Sequence, residues 1–226
     1  MPTTSKMKAM ILAAGRGERL RPLTDATPKP MLNVRGRPLL AHQLDWLITA
    51  GISDVVINLH HLGKQIETHF GNGKNLGIRI RYSHEPELLE TGGGIANALP
   101  LLGRDPFLVM NGDIFTDFSL TQLEAIPGWA DMHLLLTPTP AFRKRGDFDY
   151  ADGRVTRRGD AYVYCGIAIM RPELFAGLAI KPFSSQHMLF DAVAAGRASA
   201  QVWHGYWTDI GSEDQLKAVN DTGDPL

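Results

Sequence analysis

The chain has 226 residues, of which 44% are hydrophobic and 21% charged, a composition that fits one compact domain with a continuous core. A formal net charge of -1, with no basic run longer than residues 143–145, excludes a nucleic-acid backbone as the partner. No apolar run approaches the roughly 20 residues needed to cross a bilayer, so membrane insertion is not expected. A single cysteine, Cys165, and the lack of a secretory pattern predict a cytoplasmic protein.

Strands and helices alternate along the first half of the sequence. Residues 7–14 are nearly all apolar and are followed by Gly15, as expected for a central strand covered on both faces. The same criteria predict strands at 54–59, 78–82 and 107–110, and helices from Pro38 to a stop at Gly51, at 64–70 and after the glycines 92–94. This alternation predicts an α/β fold of the Rossmann-like, doubly wound type, with helices on both faces and ligands at the carboxyl ends of the strands.

The second half is less regular and predicts a mixed extension of a mostly parallel sheet. Its features are a strand ending at Leu136, a proline-rich loop, a turn at Asp152-Gly153, a strand at 162–170 and helices near Pro172 and Gln186. Residues 7–220 are expected to form a single domain. Residues 1–6 are expected to be a flexible extension without a role, and residues 221–226 a frayed tail.

The segment from Gly15 to Pro30 follows the first strand and has the composition of a phosphate-binding loop. Gly15 and Gly17 allow the backbone to approach a phosphate closely, while Arg19 and Lys29 supply positive charge beyond that of backbone N–H groups. The alternative interpretation is an exposed turn with solvated charges. Because cations, glycines and prolines all gather at one strand end, a triphosphate-binding loop is favoured.

Several motifs together carry a resemblance to a known family. The stretch LAAGRGERLRPLT from Leu12, with Pro28-Lys29-Pro30-Met31, resembles the signature of the sugar-1-phosphate nucleotidyltransferases. The likeness continues over nearly the whole chain, through Glu90–Gly94, Asn111–Asp113, Gly146–Phe148 and Trp207–Gly211. Within that family, the Leu-Glu-Thr-Gly-Gly-Gly stretch is most similar to the N-acetylmuramate 1-phosphate uridylyltransferases of bacterial cell-wall recycling.

The resemblance implies transfer of a nucleotidyl group from a nucleoside triphosphate to a sugar 1-phosphate, with Mg²⁺ held by Asp113 and Asp209. Arg19, Lys29 and Asp113 are then the catalytic residues. Base recognition is expected in the loop 85–94. The predicted nucleotide-binding residues are Leu12, Ala13, Ala14, Gly15, Gly17, Glu18, Arg19, Lys29, Glu85, Thr91, Gly92, Gly93 and Gly112, and the predicted sugar-binding residues are Asn111, Gly146, Asp147, Cys165 and Gly166.

The same residues also allow purely structural interpretations. Asp113 and Asp209 could cap a turn and the helix that starts near Ser212, and the three glycines could be a flexible helix entry. Cys165 lies in an alternating apolar run, where a buried hydrophobe is more common than a nucleophile. The sequence carries no indication of an oligomeric state.

One departure from the family concerns the sugar phosphate. Many relatives carry a Glu-Lys-Pro motif whose lysine holds that phosphate, and this tripeptide does not occur here. Arg143, Lys144, Arg145 or Arg158 could substitute, although a short basic run is more often a solvated surface. The base and the sugar are equally open, since mannose-1-phosphate guanylyltransferases and glucose-1-phosphate thymidylyl- or uridylyltransferases share these motifs.

Two other functions fit the sequence less well. A nicotinamide-dependent oxidoreductase is disfavoured, because Gly15-x-Gly17-x-x-Leu20 lacks the third small residue and the second strand ends in Ile57-Asn58 without a ribose-binding carboxylate. A non-catalytic sugar-nucleotide sensor on the same fold is the second. The presence of Arg19, Lys29, Asp113 and Asp209 together favours an enzyme.

Overall fold

The computed structural model describes residues 7–221. The expected N-terminal extension 1–6, and all but Asp221 of the expected tail, lie outside the described residues. Strands run at β1 Ala9–Leu12, β2 Asn33–Val34, β3 Arg37–Pro38, β4 Asp54–Leu59, β5 Arg79–His84, β6 Phe107–Asn111, β7 Ile114–Thr116, β8 Met132–Pro138, β9 Phe148–Ala151, β10 Arg154–Arg158, β11 Tyr162–Met170, β12 Ala198–Val202 and β13 Trp207–Asp209. Helices run at α1 Leu23–Ala26, α2 Leu39–Thr49, α3 Gly63–Phe70, α4 Glu90–Leu102, α5 Gln186–Ala194 and α6 Glu213–Asp221.

A nine-stranded sheet in the order β5-β4-β1-β6-β11-β8-β12-β10-β9 forms the centre of the described residues. Strands β5, β4, β1 and β6 pair in parallel, and β11 then joins β6 antiparallel. In this sheet β10 and β11 run opposite to the other seven strands. The predicted mixed, mostly parallel α/β sheet is therefore confirmed, with its antiparallel part contributed by the second half of the chain.

Helices cover both faces of this sheet, as the alternating pattern predicted. On one face, Leu40, Leu44 and Leu47 of α2 and Ile66 of α3 pack on apolar side chains of the sheet. On the other face, the buried side chains of α4 and α5 form a second apolar layer. Each fully buried leucine contributes about 1.5–3 kcal/mol, so these helical stripes fix the helices against the sheet.

A two-stranded antiparallel pair, β7 with β13, joins the end of β6 to the C-terminal part of the chain. Helix α6 follows and packs with the β2–β3 hairpin around Phe115, Ile210 and Val219. These strands are short, and β2, β3 and β7 carry too few residues for a sequence pattern and were not predicted. They matter because Asp113 precedes β7 and Asp209 ends β13.

Two predicted boundaries are corrected by the structure. The segment expected to be a loop up to Gly94 is helical from Glu90, because the three glycines are buried in the first turns of α4. The first strand is shorter than expected: after Leu12 the chain turns into the loop over the end of the sheet. Among the described residues, no helix is long and apolar enough to cross a membrane.

Candidate active site

A cavity of about 590 Å³ opens at the carboxyl ends of β1 and β6. It lies where an open parallel sheet is expected to bind its ligand. The lining residues are Leu12, Ala13, Ala14, Gly15, Arg16, Gly17, Glu18, Arg19, Leu20, Lys29, Pro30, Asn58, Leu88, Glu90, Thr91, Asn111, Gly112, Asp113, Ser184 and Gly211. The cavity thus brings the glycine-rich loop together with the ends of β4 and β6 and the start of α4.

The loop that follows β1 is folded back on itself. Gly17 has a φ of 64°, and a Cβ there would lie 2.7 Å from Cγ2 of Thr24, so glycine is required. The Thr24 hydroxyl donates to the Gly17 carbonyl at 2.9 Å. Lys29 stands on a tight turn between Pro28 and Pro30, whose rings fix φ and stiffen the approach of the lysine to the cavity.

A buried polar chain holds the floor of the cavity. The Asn58 side chain accepts a hydrogen bond from the backbone N–H of Ala13 at 2.8 Å and donates to Oε1 of Glu85 at 2.7 Å. Oε2 of Glu85 accepts from the N–H of Leu89 at 2.9 Å, one residue before α4. Because Asn58 and Glu85 are almost fully buried, this chain ties the loop after β1 to the start of α4.

Close backbone contact fixes the end of β6 against β1. The N–H of Gly112 donates to the Leu12 carbonyl at 2.9 Å, and a Cβ on Gly112 would lie only 2.4 Å from that oxygen. From α2, the Gln43 amide donates to the carbonyls of Asn111 and Ile114, at 2.9 and 3.2 Å. Contacts before and after Asp113 in the sequence therefore fix its backbone, and Asp113 lines the cavity.

The Asp113 carboxylate forms an ion pair across the cavity. Lys29 Nζ lies 2.6 Å from Asp113 Oδ2, with the two side chains 14% and 27% exposed. At such partial burial the attraction is stronger than between solvated charges. The pair joins the end of the glycine-rich loop to the end of β6.

Asp209 lies beside Asp113 through the pairing of their strands. Asp209 is opposite Ile114 in the β13–β7 ladder, and the N–H of Ile210 donates to the Asp113 carbonyl at 2.7 Å. The Asp209 carboxylate accepts from Arg143 Nη2 at 2.6 Å and from the Gln215 amide at 3.0 Å. Asp113 and Asp209 are thus adjacent in the backbone where β7 begins and β13 ends, and the approach of their carboxylates to one metal ion stays a prediction.

Arg19 reaches the same edge from the glycine-rich loop. A Cβ on Gly211 would lie 3.0 Å from one terminal nitrogen of the Arg19 guanidinium, so the absence of a side chain at Gly211 makes room for the arginine. Arg19 and Gly211 both line the cavity. Cations from the loop therefore stand close to the segment that follows Asp209.

Residues 8–126, more than half of the chain, match the profile of the nucleotidyl transferase family. The chain belongs to that family. The N-acetylmuramate alpha-1-phosphate uridylyltransferase of Neisseria meningitidis serogroup B is 44% identical over 221 residues, which cover 93% of this chain and 96% of that protein.

Two further comparisons agree with the nucleotidyl transferase assignment. A protein of the same name from Caulobacter vibrioides is 38% identical over 221 residues, covering 90% of this chain and 91% of that protein. The crystal structure of HddC from Yersinia pseudotuberculosis complexed with GMP-PN superposes with a TM-score of 0.81 at 22% identity, over 96% of this chain and 100% of that chain, which shows the shared fold. The resemblance drawn from the sequence motifs is confirmed.

Most of the predicted nucleotide-binding residues of this nucleotidyl transferase line one cavity. They are Leu12, Ala13, Ala14, Gly15, Gly17, Glu18, Arg19, Lys29, Thr91 and Gly112, joined by Asn111 and Asp113. Glu85 is instead buried beneath the cavity wall, where its carboxylate holds Asn58 and Leu89. The structure brings the first group together, and direct contact of each residue with a nucleotide stays a prediction.

The glycines at the start of α4 are covered by another segment of the chain. Residues 181–185, here called the strap, lie against them: the Phe183 carbonyl accepts from the N–H groups of Gly92 and Gly93 at 2.9 and 3.2 Å. A Cβ on Gly93 would lie 2.2 Å from the Lys181 carbonyl oxygen. The strap therefore occupies the space that the missing side chains of Gly92 and Gly93 leave free. A base could contact the N–H groups of these glycines only if the strap moved.

The predicted sugar-binding residues are divided between three places. Gly146 and Asp147 line a second cavity of about 590 Å³. Gly166 has a φ of 74°, and a Cβ there would lie 2.7 Å from the Asn111 amide nitrogen, so this glycine makes room for Asn111. Cys165 is fully buried, and burial raises the pKa of its thiol, so the side chain is neither a nucleophile nor exposed to a sugar.

The donor set beside Asp113 suits a hard divalent cation. Among residues 7–221, no three His, Cys, Asp or Glu side chains converge on one point as a complete metal site. Two carboxylates from adjacent strands leave the remaining positions to phosphate oxygens and water, which is how Mg²⁺ is commonly bound with nucleotides. The residues present therefore fit such an ion, and the assignment of Asp113 and Asp209 as its protein ligands stays a prediction.

Other cavity residues were not predicted, because nothing in their local sequence marks them. Asn58 and Ser184 come from the end of β4 and from the strap, and only the tertiary structure brings them to the cavity. Glu90 was quoted within a motif without a role. Its φ of 59° is unusual for a residue with a side chain, and such backbone strain is found preferentially at functional sites.

Proposed function

We propose that the chain catalyses Mg²⁺-dependent transfer of a uridylyl group from UTP to N-acetylmuramate 1-phosphate, giving UDP-N-acetylmuramate and pyrophosphate. The observation that carries this proposal is the Lys29–Asp113 pair beside Asp209 at the mouth of a glycine-rich cavity. Support for the choice of substrates comes from the Neisseria and Caulobacter relatives, which align over nearly their full length.

The reaction requires anions to be brought together more than it requires proton transfer. A phosphate oxygen of the sugar 1-phosphate forms a bond to the α-phosphorus, and the bond from that phosphorus to the bridging oxygen of pyrophosphate breaks. The attacking oxygen is already deprotonated at neutral pH, so no general base is needed. Positioning and charge neutralisation therefore account for catalysis.

Each charged residue of the cavity has a distinct part in this mechanism. Backbone N–H groups of the glycine-rich loop surround the triphosphate, and Arg19 stabilises the departing pyrophosphate. Lys29 bridges the phosphates, which requires it to turn from Asp113 towards them. Asp113 and Asp209 would hold the metal ion, which would supply further positive charge to the reacting phosphates.

The setting of the reaction belongs to the same proposal. We place it in the cytoplasm, because the one thiol of the sequence is unpaired and buried. We place it in the recycling of cell-wall sugars because of the resemblance to the N-acetylmuramate 1-phosphate uridylyltransferases. Residues 7–220 act as one catalytic domain, which is supported by a sheet that runs from β5 to β9 without interruption.

A pyrophosphate-release assay with a panel of substrates tests the proposal. UTP, GTP, TTP and ATP are each combined with the 1-phosphates of N-acetylmuramate, N-acetylglucosamine, glucose and mannose. The expected result is Mg²⁺-dependent pyrophosphate release, fastest with UTP and N-acetylmuramate 1-phosphate. Fastest turnover with GTP and mannose 1-phosphate would overturn the substrate assignment, and binding without any pyrophosphate would identify a sensor.

A further inference from the structure

The sugar 1-phosphate brings a second set of negative charges to the cavity, and the loop cations are already engaged there. Arg16, Arg19 and Lys29 all belong to the glycine-rich loop, on the side that holds the triphosphate. Two anionic phosphates that approach each other in a partly desolvated site repel strongly. A further cation outside that loop, close to Asp209, is therefore expected to bind the incoming phosphate.

Arg143 is placed at that position by two contacts. Its Nη2 lies 2.6 Å from Oδ2 of Asp209, and its Cζ lies 5.6 Å from the centre of the Trp207 ring. The arginine side chain is 31% exposed, so it is accessible from solvent while its guanidinium is held. The ring of Trp207 is itself anchored, because its Nε1 donates to the Cys165 carbonyl at 2.8 Å.

The other three basic candidates are placed elsewhere. Lys144 is exposed on the surface. Arg145 is 82% exposed and pairs with Asp160 at 3.3 Å, and Arg158 stacks over Phe190 with its Cζ 4.0 Å from the ring centre. Arg145 and Arg158 line the second cavity. Among these four described residues, Arg143 is the one in contact with a carboxylate of the predicted metal pair.

We propose that Arg143 binds the phosphate of the sugar 1-phosphate, an assignment that rests on the proposed function. Oδ2 of Asp209 accepts from Arg143, and the Asp209 carboxylate is also a predicted ligand of the metal. When the carboxylate turns to the metal ion, the guanidinium is released to donate two parallel N–H bonds to phosphate oxygens. The Trp207 ring keeps the guanidinium at the cavity edge during this exchange.

Steady-state kinetics of Arg143→Ala and Arg143→Lys, with UTP and the sugar 1-phosphate varied separately, tests the assignment. The removal of a bidentate cation predicts a fall of roughly 100-fold in kcat/KM for the sugar 1-phosphate. The KM for UTP stays within about twofold, since Arg143 is not among the residues that line the cavity of the glycine-rich loop. Arg143→Lys recovers part of the loss, because it restores the charge without the fork geometry. Lys144→Ala, which removes one charge from the same loop, is the matched control and behaves as wild type.

A calorimetric titration measures binding of the sugar 1-phosphate without turnover, so it tests the role of Arg143 separately from the proposed function. Wild-type protein with Mg²⁺ and a non-hydrolysable UTP analogue is titrated with N-acetylmuramate 1-phosphate and with unphosphorylated N-acetylmuramate. Arg143→Ala is expected to weaken the first and leave the second unchanged. If wild type gives no pyrophosphate, the proposed function fails, and the titration still tests Arg143 as a phosphate ligand.

Three outcomes would overturn the assignment. The first is wild-type affinity for the sugar 1-phosphate in Arg143→Ala. The second is a loss shared equally between the sugar 1-phosphate and UTP, with a lowered Tm, which would indicate that the Arg143–Asp209 pair is structural. The third is a selective loss in Arg158→Ala instead, which would assign the phosphate to the second cavity. If Arg143→Ala does not fold, Arg143→Gln is used in the same titration.

Discussion

Lys29 Nζ lies 2.6 Å from Asp113 Oδ2, and this contact joins the first loop of the sheet to the end of its neighbouring strand. The two residues are 84 positions apart in the sequence. Without a nucleotide, the lysine neutralises the aspartate that is predicted to bind the metal. The pair is therefore expected to exchange partners when substrates bind, with the lysine passing to phosphate and the aspartate to the metal ion.

Lys29→Met is expected to lower kcat/KM for the nucleoside triphosphate about 100-fold or more, since it removes a preorganised cation from the triphosphate. The measurement is pyrophosphate release at varied UTP. Lys64→Met is the matched control, because the Lys64 side chain is 85% exposed on α3. Equal rates in both variants would show that the Lys29–Asp113 pair only stabilises the loop.

Asp113→Asn and Asp209→Asn are each expected to weaken divalent-ion binding at least tenfold, since each removes one of two anionic ligands. Binding of Mn²⁺ in the presence of a UTP analogue, followed by electron paramagnetic resonance, measures this independently of turnover. The double variant should lose little beyond the stronger single loss, because the two ligands act as a unit. Asp45→Asn, a carboxylate paired with Arg37 on the surface, serves as control. Unchanged Mn²⁺ affinity in both single variants would contradict the two-carboxylate site.

Gly112→Ala is expected to destabilise the fold by about 2 kcal/mol, because the new methyl group is forced into the Leu12 carbonyl in a close-packed region. Urea denaturation followed by tryptophan fluorescence gives the free energy of unfolding. Gly128→Ala is the matched control, since nothing lies within 4 Å of a Cβ there. A destabilisation of the same size in both variants would mean that the contact between β1 and the end of β6 is not tight.

Stability is expected to fall in mild acid because of His133. The ring is buried, with Nδ1 2.9 Å from the Ser199 hydroxyl and Nε2 3.2 Å from the Gln201 side-chain oxygen. Burial lowers the pKa of His133 below its usual value of 6.5. The unfolded chain therefore binds a proton first, and the stability present above pH 6.5 is lost as the pH falls below it.

The free energy of unfolding measured between pH 8 and pH 5 tests this expectation. His133→Gln should flatten part of the pH dependence, whereas His204→Gln, at an exposed position, should leave the curve unchanged. A curve for His133→Gln that matches wild type in slope would show that other groups control acid stability.

The elements predicted best are those whose signal is local. Helix α2 and strands β4 and β6 were predicted from short runs of apolar side chains bounded by turn residues. The spacing of the apolar side chains in such a run indicates by itself which faces of the element are buried. The boundary of α4 was misplaced since three glycines in a row usually indicate a loop. Here the packing of the strap on Gly92 and Gly93 makes small residues necessary within a helix.

The sequence by itself determined the family, the α/β fold and the residues that gather at the carboxyl ends of the strands, because each of these follows from a contiguous motif or a repeated pattern. Only the tertiary structure decided that the β7–β13 pairing brings the backbone of Asp209 beside that of Asp113, that Arg143 is the basic residue on Asp209, and that the strap covers the glycines of α4. These relationships join residues tens of positions apart through short strands and side-chain contacts. Such contacts form only when the whole chain packs, so no local pattern encodes them.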